Sequence, residues 1–385
     1  MGVCFNKPKG MTFALTSEVK ENLSDGAKTT RKQNVRLSVV ASSNPQISDE
    51  DLPEPARTDA IENIKTPAEI QCHKVESRIK IEGAPPNGHQ QGFEDKKHTV
   101  EGINVISELN SLGIGFACKK GLKPDQFNQD DFSIIIDPDF KFFGVFDGHG
   151  TNGHHISKYV HSLLPDLITT HESFPENLQE AINDGFVKTH QALYSQCSKP
   201  ETEYDCRFSG TTATTAIIKN NQLMIGHVGD SRAILGIKKG NCCEARRITT
   251  DHKANLPSEM DRIIASNGEV RKLPDDYPHR IFVKGKEYPG LSTSRTIGDA
   301  VAQTIGVIPI PEIHELEIAE DFELLVMCSD GVWEFMSDQE AIDIVKKYEK
   351  NIQQAANKLA SFAWTKWIDH EEEVVDDITV IVVRL

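Results

Sequence analysis

The chain has little of what a membrane, secreted or nucleic-acid-binding protein needs. No window approaches the roughly 18 apolar residues of a membrane-spanning helix. The first 20 residues hold no continuous apolar stretch of the kind a secretory leader requires. Eight cysteines are present: Cys4, Cys72, Cys118, Cys197, Cys206, Cys242, Cys243 and Cys328. They form no CxxC pair, and the adjacent Cys242-Cys243 suit neither a zinc knuckle nor an ordinary disulfide. Free thiols are expected, in a reducing, intracellular and cytoplasmic setting. Positive charge is also scarce. Against 58 Asp and Glu stand 42 Lys and Arg, a net charge of −16 over 385 residues. Affinity for nucleic acid rests on neutralising phosphates, so no nucleic-acid partner is expected.

Aromatics are scarce in one region. Residues 1 to about 95 hold three of the chain's 26 (Phe5, Phe13 and Phe93), but seven of its 18 prolines. Such a segment cannot bury enough apolar surface to offset its ordering entropy. A mostly disordered extension over 1–95 is expected, dispensable for folding of the remainder. At most it holds a transient helix across Ile61–Ile81, which Pro67 interrupts. No repeat or coiled coil is visible, and a monomer is expected.

What is present is a repeated grammar. Phe142–Phe146 is an apolar run that stops at Asp147-Gly148-His149-Gly150, and Leu324–Cys328 is another that stops at Ser329-Asp330-Gly331. A carboxylate at the end of a buried strand is costly unless something compensates it. Divalent cations do so by coordination, and the following glycine lets the backbone approach closely. Asp-Gly is also a common turn, so one copy would mean little. Further acids beside strand-like runs argue against scattered turns: Asp130-Asp131, Asp230, Asp299 and Asp376-Asp377. Strand ends are where rigid scaffolds present functional groups. The pattern points to a metal site of hard oxygen ligands.

From about residue 100 the periodicity becomes regular. Strands are predicted over Ile114–Cys118, Asp131–Ile136, Phe142–Phe146, Thr212–Ile218, Gln222–Val228, Arg232–Gly236, Glu312–Ile318, Glu323–Cys328 and Ile378–Val383. Helices are predicted over His154–Ile168, Asn177–Gln196, Pro257–Asn267, Asp338–Lys347 and Gln353–Trp367, with Gly268 stopping the third. Asn220-Asn221 reads as a hairpin turn. The order suggests a layered α/β sandwich with antiparallel pairing.

The strings NQDDF, VFDGHG, SGTTA, VGDSRA, TTDHK, LSTSRTIGD, CSDGVWE and DDITVIVV occur together and in order. In that set, over about residues 100–385, the chain resembles the metal-dependent serine/threonine protein phosphatases of the PPM, or type 2C, family. The resemblance implies two packed antiparallel sheets flanked by helices, a four-layer α-β-β-α sandwich. It also implies two Mg²⁺ or Mn²⁺ ions in the cleft between the sheets, with room for a third, and phosphorylated proteins as substrates. Residue by residue, it implies that Asp147 bridges the two ions and that the Gly148 carbonyl binds the second. Asp330 and Asp376 would complete the first ion's carboxylates. Asp130 would hold ion-bound water, Asp230 with Asp330 would hold the third ion, and Asp299 would be a further acid of the cleft. His149 would be the general acid toward the leaving group, although a turn histidine without a proton role remains open. Hard carboxylates suit Mg²⁺ and Mn²⁺, whereas histidine and thiolate favour zinc. Two such ions activate a water and need no protein nucleophile. Consistently, Cys328 does not open a Cys-x5-Arg loop.

Three positions depart from the family pattern. Gln129 stands where Glu is frequent, and Glu334 where many members have Asp. Asp125 stands where many animal members carry a phosphate-binding arginine, which leaves Lys123 as the candidate phosphate contact. His154-His155 read as a helix start, His252 and His279 as structural or surface residues, and Trp333 as core. Two other readings stay open: a pseudophosphatase acting as a binding module, and a two-metal hydrolase of small phosphoesters. At the front, Met1-Gly2 fits N-myristoylation, weakened by Asn6 at the sixth position, and Cys4 can take a palmitoyl group. One acyl chain binds membranes marginally without a second signal. Residues 1–36 supply seven Lys or Arg against three Asp or Glu. Association with a membrane surface through Gly2 and Cys4 is therefore expected.

Overall fold

A computed structural model of the chain describes residues 79–84, 92–101, 105–123, 127–274 and 278–385. The larger sheet has nine strands among these residues. Its main path runs β15 (Glu312–Glu317), β8 (Gln222–Val228), β7 (Ala213–Lys219), β5 (Lys141–His149), β4 (Asp130–Ile136), β1 (Ile79–Gly83) and β2 (His98–Glu101). Two short strands, β6 (Gly210–Thr211) and β14 (Ile297–Gly298), continue from the end of β5. A second sheet runs β10 (Cys242–Arg247), β9 (Arg232–Lys239), β16 (Phe322–Cys328), β17 (Ile378–Arg384) and β3 (Ile114–Lys119). A small third sheet holds β11 (Gly268–Lys272), β12 (His279–Val283) and β13 (Pro289–Leu291). The helices are α1 (Val105–Ser111), α2 (Gly153–Thr169), α3 (Leu178–Cys197), α4 (Pro257–Ala265), α5 (Ala300–Gln303), α6 (Asp330–Trp333), α7 (Asp338–Lys347) and α8 (Ile352–Glu371).

Alternation along each strand builds the layers. In β5, Phe143 and Val145 enter the core between the sheets, while Phe142 and Phe146 face α2 and α3. In β16, Leu325 and Met327 face the other sheet, while Leu324, Val326 and Cys328 pack under α7 and α8. Each such side chain contributes about 1.5–3 kcal/mol on burial, and a one-residue slip would turn every one to the wrong layer. The result is the expected four-layer α-β-β-α sandwich. Local signals agree with it. Ser337 and Glu340 form a reciprocal capping box on α7. Asn220 and Asn221 both take positive φ, as a tight right-twisting hairpin requires.

Several expectations are corrected. The folded body begins inside the segment expected to be an extension. Residues 1–78 and 85–91 lie outside the described residues, but Ile79–Gly83 is a strand between β4 and β2, with Ile79 and Ile81 buried. Removing residues 1–95 would therefore strip β1 from the sheet. The end of the helix expected over Ile61–Ile81 is that strand, because alternating Ile79 and Ile81 fit a sheet face. Apolar β5 does not stop at Asp147; it runs on through His149, because Gly148 and His149 pair with β6. Helix α4 ends at Ala265, Asn267 just beyond it takes the left-handed conformation, and Gly268 opens β11 instead of stopping the helix. The third sheet and the strands β10, β6 and β14 had no signal strong enough to predict them.

Candidate active site

The strand ends that face one another across the two sheets carry the acids. Asp147 shares the parity of Phe143 and Val145, so it points between the sheets. Asp130, two and four residues before the inward-facing Phe132 and Ile134, does the same. Register sets Asp130 directly opposite Asp147 in neighbouring strands. The second sheet brings Asp330, at the start of α6, and Asp376, just before β17. Gly331 lets α6 start there, since a Cβ on it would stand 2.0 Å from the Asp377 carbonyl oxygen. Thr212 holds the β5 backbone in place: its hydroxyl accepts from Asp147 N–H at 3.0 Å and its N–H donates to the Asp147 carbonyl at 2.9 Å.

The acids strain one another electrostatically. Burial raises the Asp147 pKa well above the usual carboxylate value, and Asp130, Asp330, Asp376 and Asp230 raise it further. Burial, reinforced by Asp377, pushes Asp130 up to about 8 even though Ser329 Oγ donates to its Oδ2 at 2.7 Å. Burial with Asp230 and Asp376 pushes Asp330 up to about 7. Five carboxylates thus repel one another in a low-dielectric cleft. Two ammonium groups lean on them: Lys123 bonds Asp376 Oδ1, and Lys253 bonds Asp230 Oδ2. Among the described residues no three His, Cys, Asp or Glu side chains close around a single point as they would around an ion. The fit to metal therefore rests on the donor chemistry. Mutually repelling, buried, hard-oxygen groups suit Mg²⁺ or Mn²⁺, and the lysines compensate only two of them.

The sequence-predicted residues fall into two groups. Asp130, Asp147, Asp330, Asp376 and Asp230 come together. Gly148 lies beside the start of α2, where a Cβ on it would meet the Gly153 carbonyl at 2.4 Å, and its N–H donates to the Gln129 carbonyl at 3.1 Å. Asp299, expected among the metal acids, bonds His149: its Oδ2 lies 2.7 Å from His149 Nε2. Gly210 makes that pair possible, because a Cβ there would stand 2.1 Å from Asp299 Oδ2. Burial alone would lower the His149 pKa, but Asp299 outweighs it and the net shift is upward. Lys123 stands at the cluster, its ammonium engaged by Asp376 and its pKa raised by that carboxylate against burial. Asp125 lies outside the described residues, as do Gly2 and Cys4. Of the remaining histidines, His252 is buried, stacked on His227 at 4.7 Å between ring centres, and His279 opens β12.

Sequence reasoning gave no role to Lys253, Ser329 or Asp377. Asp377 accepts N–H bonds from Gly121 at 2.6 Å and Gln129 at 2.7 Å, so one carboxylate grips both ends of the segment that carries Lys123. No local pattern announces such long-range partners, although TTDHK and DDITVIVV contain two of them. Gln129 is no water-holding charge. Its amide donates to the Gly150 carbonyl at 2.6 Å and steadies the Asp147–Gly150 turn.

Comparison with known proteins agrees with this fold. The family model described as Protein phosphatase 2C matches residues 124–367. The chain is similar to the probable protein phosphatase 2C 35 of Arabidopsis thaliana, 30% identical over 325 residues, which covers 78% of this chain and 90% of that protein. It is 34% identical over 255 residues to the probable protein phosphatase 2C 61 of the same plant, covering 63% of this chain and 74% of the relative. Among solved structures, the serine-threonine phosphatase 2C from Toxoplasma gondii shares the fold with a TM-score of 0.61 and 22% identity, over 70% of this chain and 94% of that one. A C. elegans sex determining protein shares it with a TM-score of 0.58 and 17% identity, over 70% of this chain and 64% of that one.

Proposed function

Because the chain belongs to the protein phosphatase 2C family and is a serine/threonine protein phosphatase, we propose that it removes phosphate from phosphoserine and phosphothreonine by a dinuclear Mg²⁺- or Mn²⁺-dependent hydrolysis in the cleft. One observation carries this reading: Asp130, Asp330, Asp376 and Asp230 all act on the buried carboxylate of Asp147. Asp147, the Gly148 carbonyl, Asp330 and Asp376 would hold the ions, and Asp130 would hold a water beside them. Asp230 with Asp330 offers room for a third. Bound there, the ions supply Lewis acidity and an activated water at neutral pH.

The chain's own groups do the rest. His149, held by Asp299 and biased toward its protonated form, keeps one ring N–H on Asp299 and offers the other to the leaving oxygen. Lys123 supplies a flexible positive charge for the phosphoryl oxygens once Asp376 turns to a cation. Release of phosphate from a phosphothreonine peptide, with Mn²⁺ and with chelator, tests the proposal. Mn²⁺-dependent release with little turnover of p-nitrophenyl phosphate is expected. Absence of release would favour a binding pseudophosphatase, and preference for the small ester would favour a small-phosphoester hydrolase.

The same proposal includes a cytoplasmic enzyme drawn to a membrane surface by acylation of Gly2 and Cys4 beside Lys7 and Lys9. Gly2→Ala is expected to shift the protein from the membrane to the soluble fraction. A wild type already wholly soluble in cells would contradict it.

A further inference from the structure

Behind the acid cluster lies a second, separate set of buried charges that the reaction does not use. Lys96, Asp131 and His161 are all buried. Lys96 Nζ lies 2.9 Å from Asp131 Oδ2 and also bonds the Asp130 carbonyl. His161 Nδ1, from α2, lies 3.1 Å from the same Asp131 oxygen. The other Asp131 oxygen accepts from Phe132 N–H at 3.0 Å. Gly83 of β1 makes room for it, since a Cβ there would stand 1.9 Å from Asp131 Oδ1.

The segment that carries Lys96 crosses from one sheet to the other. Its Phe93 N–H donates to the Lys120 carbonyl at 2.8 Å, and its Glu94 carbonyl accepts from Lys120 N–H at 3.0 Å. Lys96 N–H donates to the Cys118 carbonyl of β3 at 2.8 Å. Only then does the chain join the larger sheet: the Lys97 carbonyl accepts from Ala84 N–H at 2.7 Å, and β2 pairs with β1. The strap therefore ties β3 of one sheet to β1 of the other, next to the strand that presents Asp130.

Resting on the metal reading above, we infer that Lys96 is a positioning residue for the metal cluster. It acts through Asp130: the ammonium fixes that residue's carbonyl and its neighbour's carboxylate, and so fixes where the Asp130 side chain enters the cleft. Stability gives no reason to keep such a group. A buried ion pair is often matched or exceeded by apolar packing of the same volume. Partners that orient a metal site's acids, by contrast, typically change metal affinity when they are lost.

The test is calorimetric titration of Mn²⁺ into the full chain, with thermal melting of each protein in chelator. Three proteins are compared: wild type, Lys96→Met and Lys96→Met/Asp131→Asn. The double variant removes both charges at nearly constant volume. It is expected to melt near wild type yet bind Mn²⁺ about 10-fold more weakly, the usual effect of losing an orienting partner. Lys96→Met alone should lose as much affinity and also melt lower, because Asp131 is left with His161 only. A folded double variant with wild-type Mn²⁺ affinity would overturn the inference. So would a double variant that cannot fold, since Lys96 would then serve the fold and not the cluster. No Mn²⁺ uptake by wild type would overturn the metal reading itself, and this inference with it.

Discussion

Asp130 and Asp131 are consecutive carboxylates on one strand, and β4 turns them to opposite faces. Both are buried. On the cleft side, burial and further carboxylates push Asp130 up to about 8. On the helix side, His161 and Lys96 overcome burial and hold Asp131 well below the usual range. Residue type, depth and strand are the same, and the sign of the shift is opposite. What differs is whether the protein itself supplies the counter-charge. On the helix face it does, and Asp131 needs no cation from outside. On the cleft face two lysines are set against five acids, and the remaining charge is a demand for cations from outside.

The comparison breaks most visibly at its centre. Asp147→Asn removes the carboxylate on which four others act, and phosphopeptide turnover should fall about a thousandfold, the factor that several kcal/mol of lost electrostatic stabilisation implies. Steady-state kinetics in Mn²⁺ measure it, and a variant within a fewfold of wild type would contradict the account.

Exchanging the two neighbours sharpens it. Asp131→Asn leaves Lys96 buried without its carboxylate and should destabilise the fold by about 3 kcal/mol at neutral pH. Its native pKa lies below the unfolded value of about 3.9, so that contribution exists above this pH and is lost as pH falls through the acid range. Asp130→Asn should do the reverse in chelator. The raised native pKa means that ionised Asp130 penalises folding increasingly as pH rises from about 4 toward 8. The variant should therefore melt above wild type at pH 8 and close to it near pH 4. Melting curves across pH that moved both variants the same way would erase the distinction between the faces.

The smallest expected effect is at Lys123. If it anchors phosphate, Lys123→Ala should raise KM for a phosphopeptide about tenfold while kcat changes much less, as loss of a uniform binding contact does. Unchanged kinetics would mean that Lys123 only neutralises Asp376.

The cleft face was more legible in the sequence than the helix face, for a physical reason. Strand–Asp–Gly grammar is local: an apolar run, a carboxylate and a glycine stand within a few residues, and its two copies, Asp147-Gly148 and Asp330-Gly331, both lie in the acid cluster. Period-two alternation also carried the two main sheets and their flanking helices. The Lys96–Asp131–His161 set joins an N-terminal strap, a strand and a helix, and of its members only Asp131 stands in a local pattern, one that does not point to the other two. Polar composition hid β1, because only Ile79 and Ile81 mark its buried face. Asp299 was legible as a site residue but not as the partner of His149, since that contact depends on the left-handed turn at Asp299 and on the missing side chain of Gly210.

The most direct test of the central claim is equilibrium Mn²⁺ binding, measured by calorimetry at neutral pH on wild type and Asp147→Asn side by side. Saturable binding to wild type with at least two ions per chain is predicted, with loss of at least one ion in the variant. Equal, saturable binding by both proteins would show that the cleft carboxylates are not gathered around Asp147 for a cation, and would contradict the account.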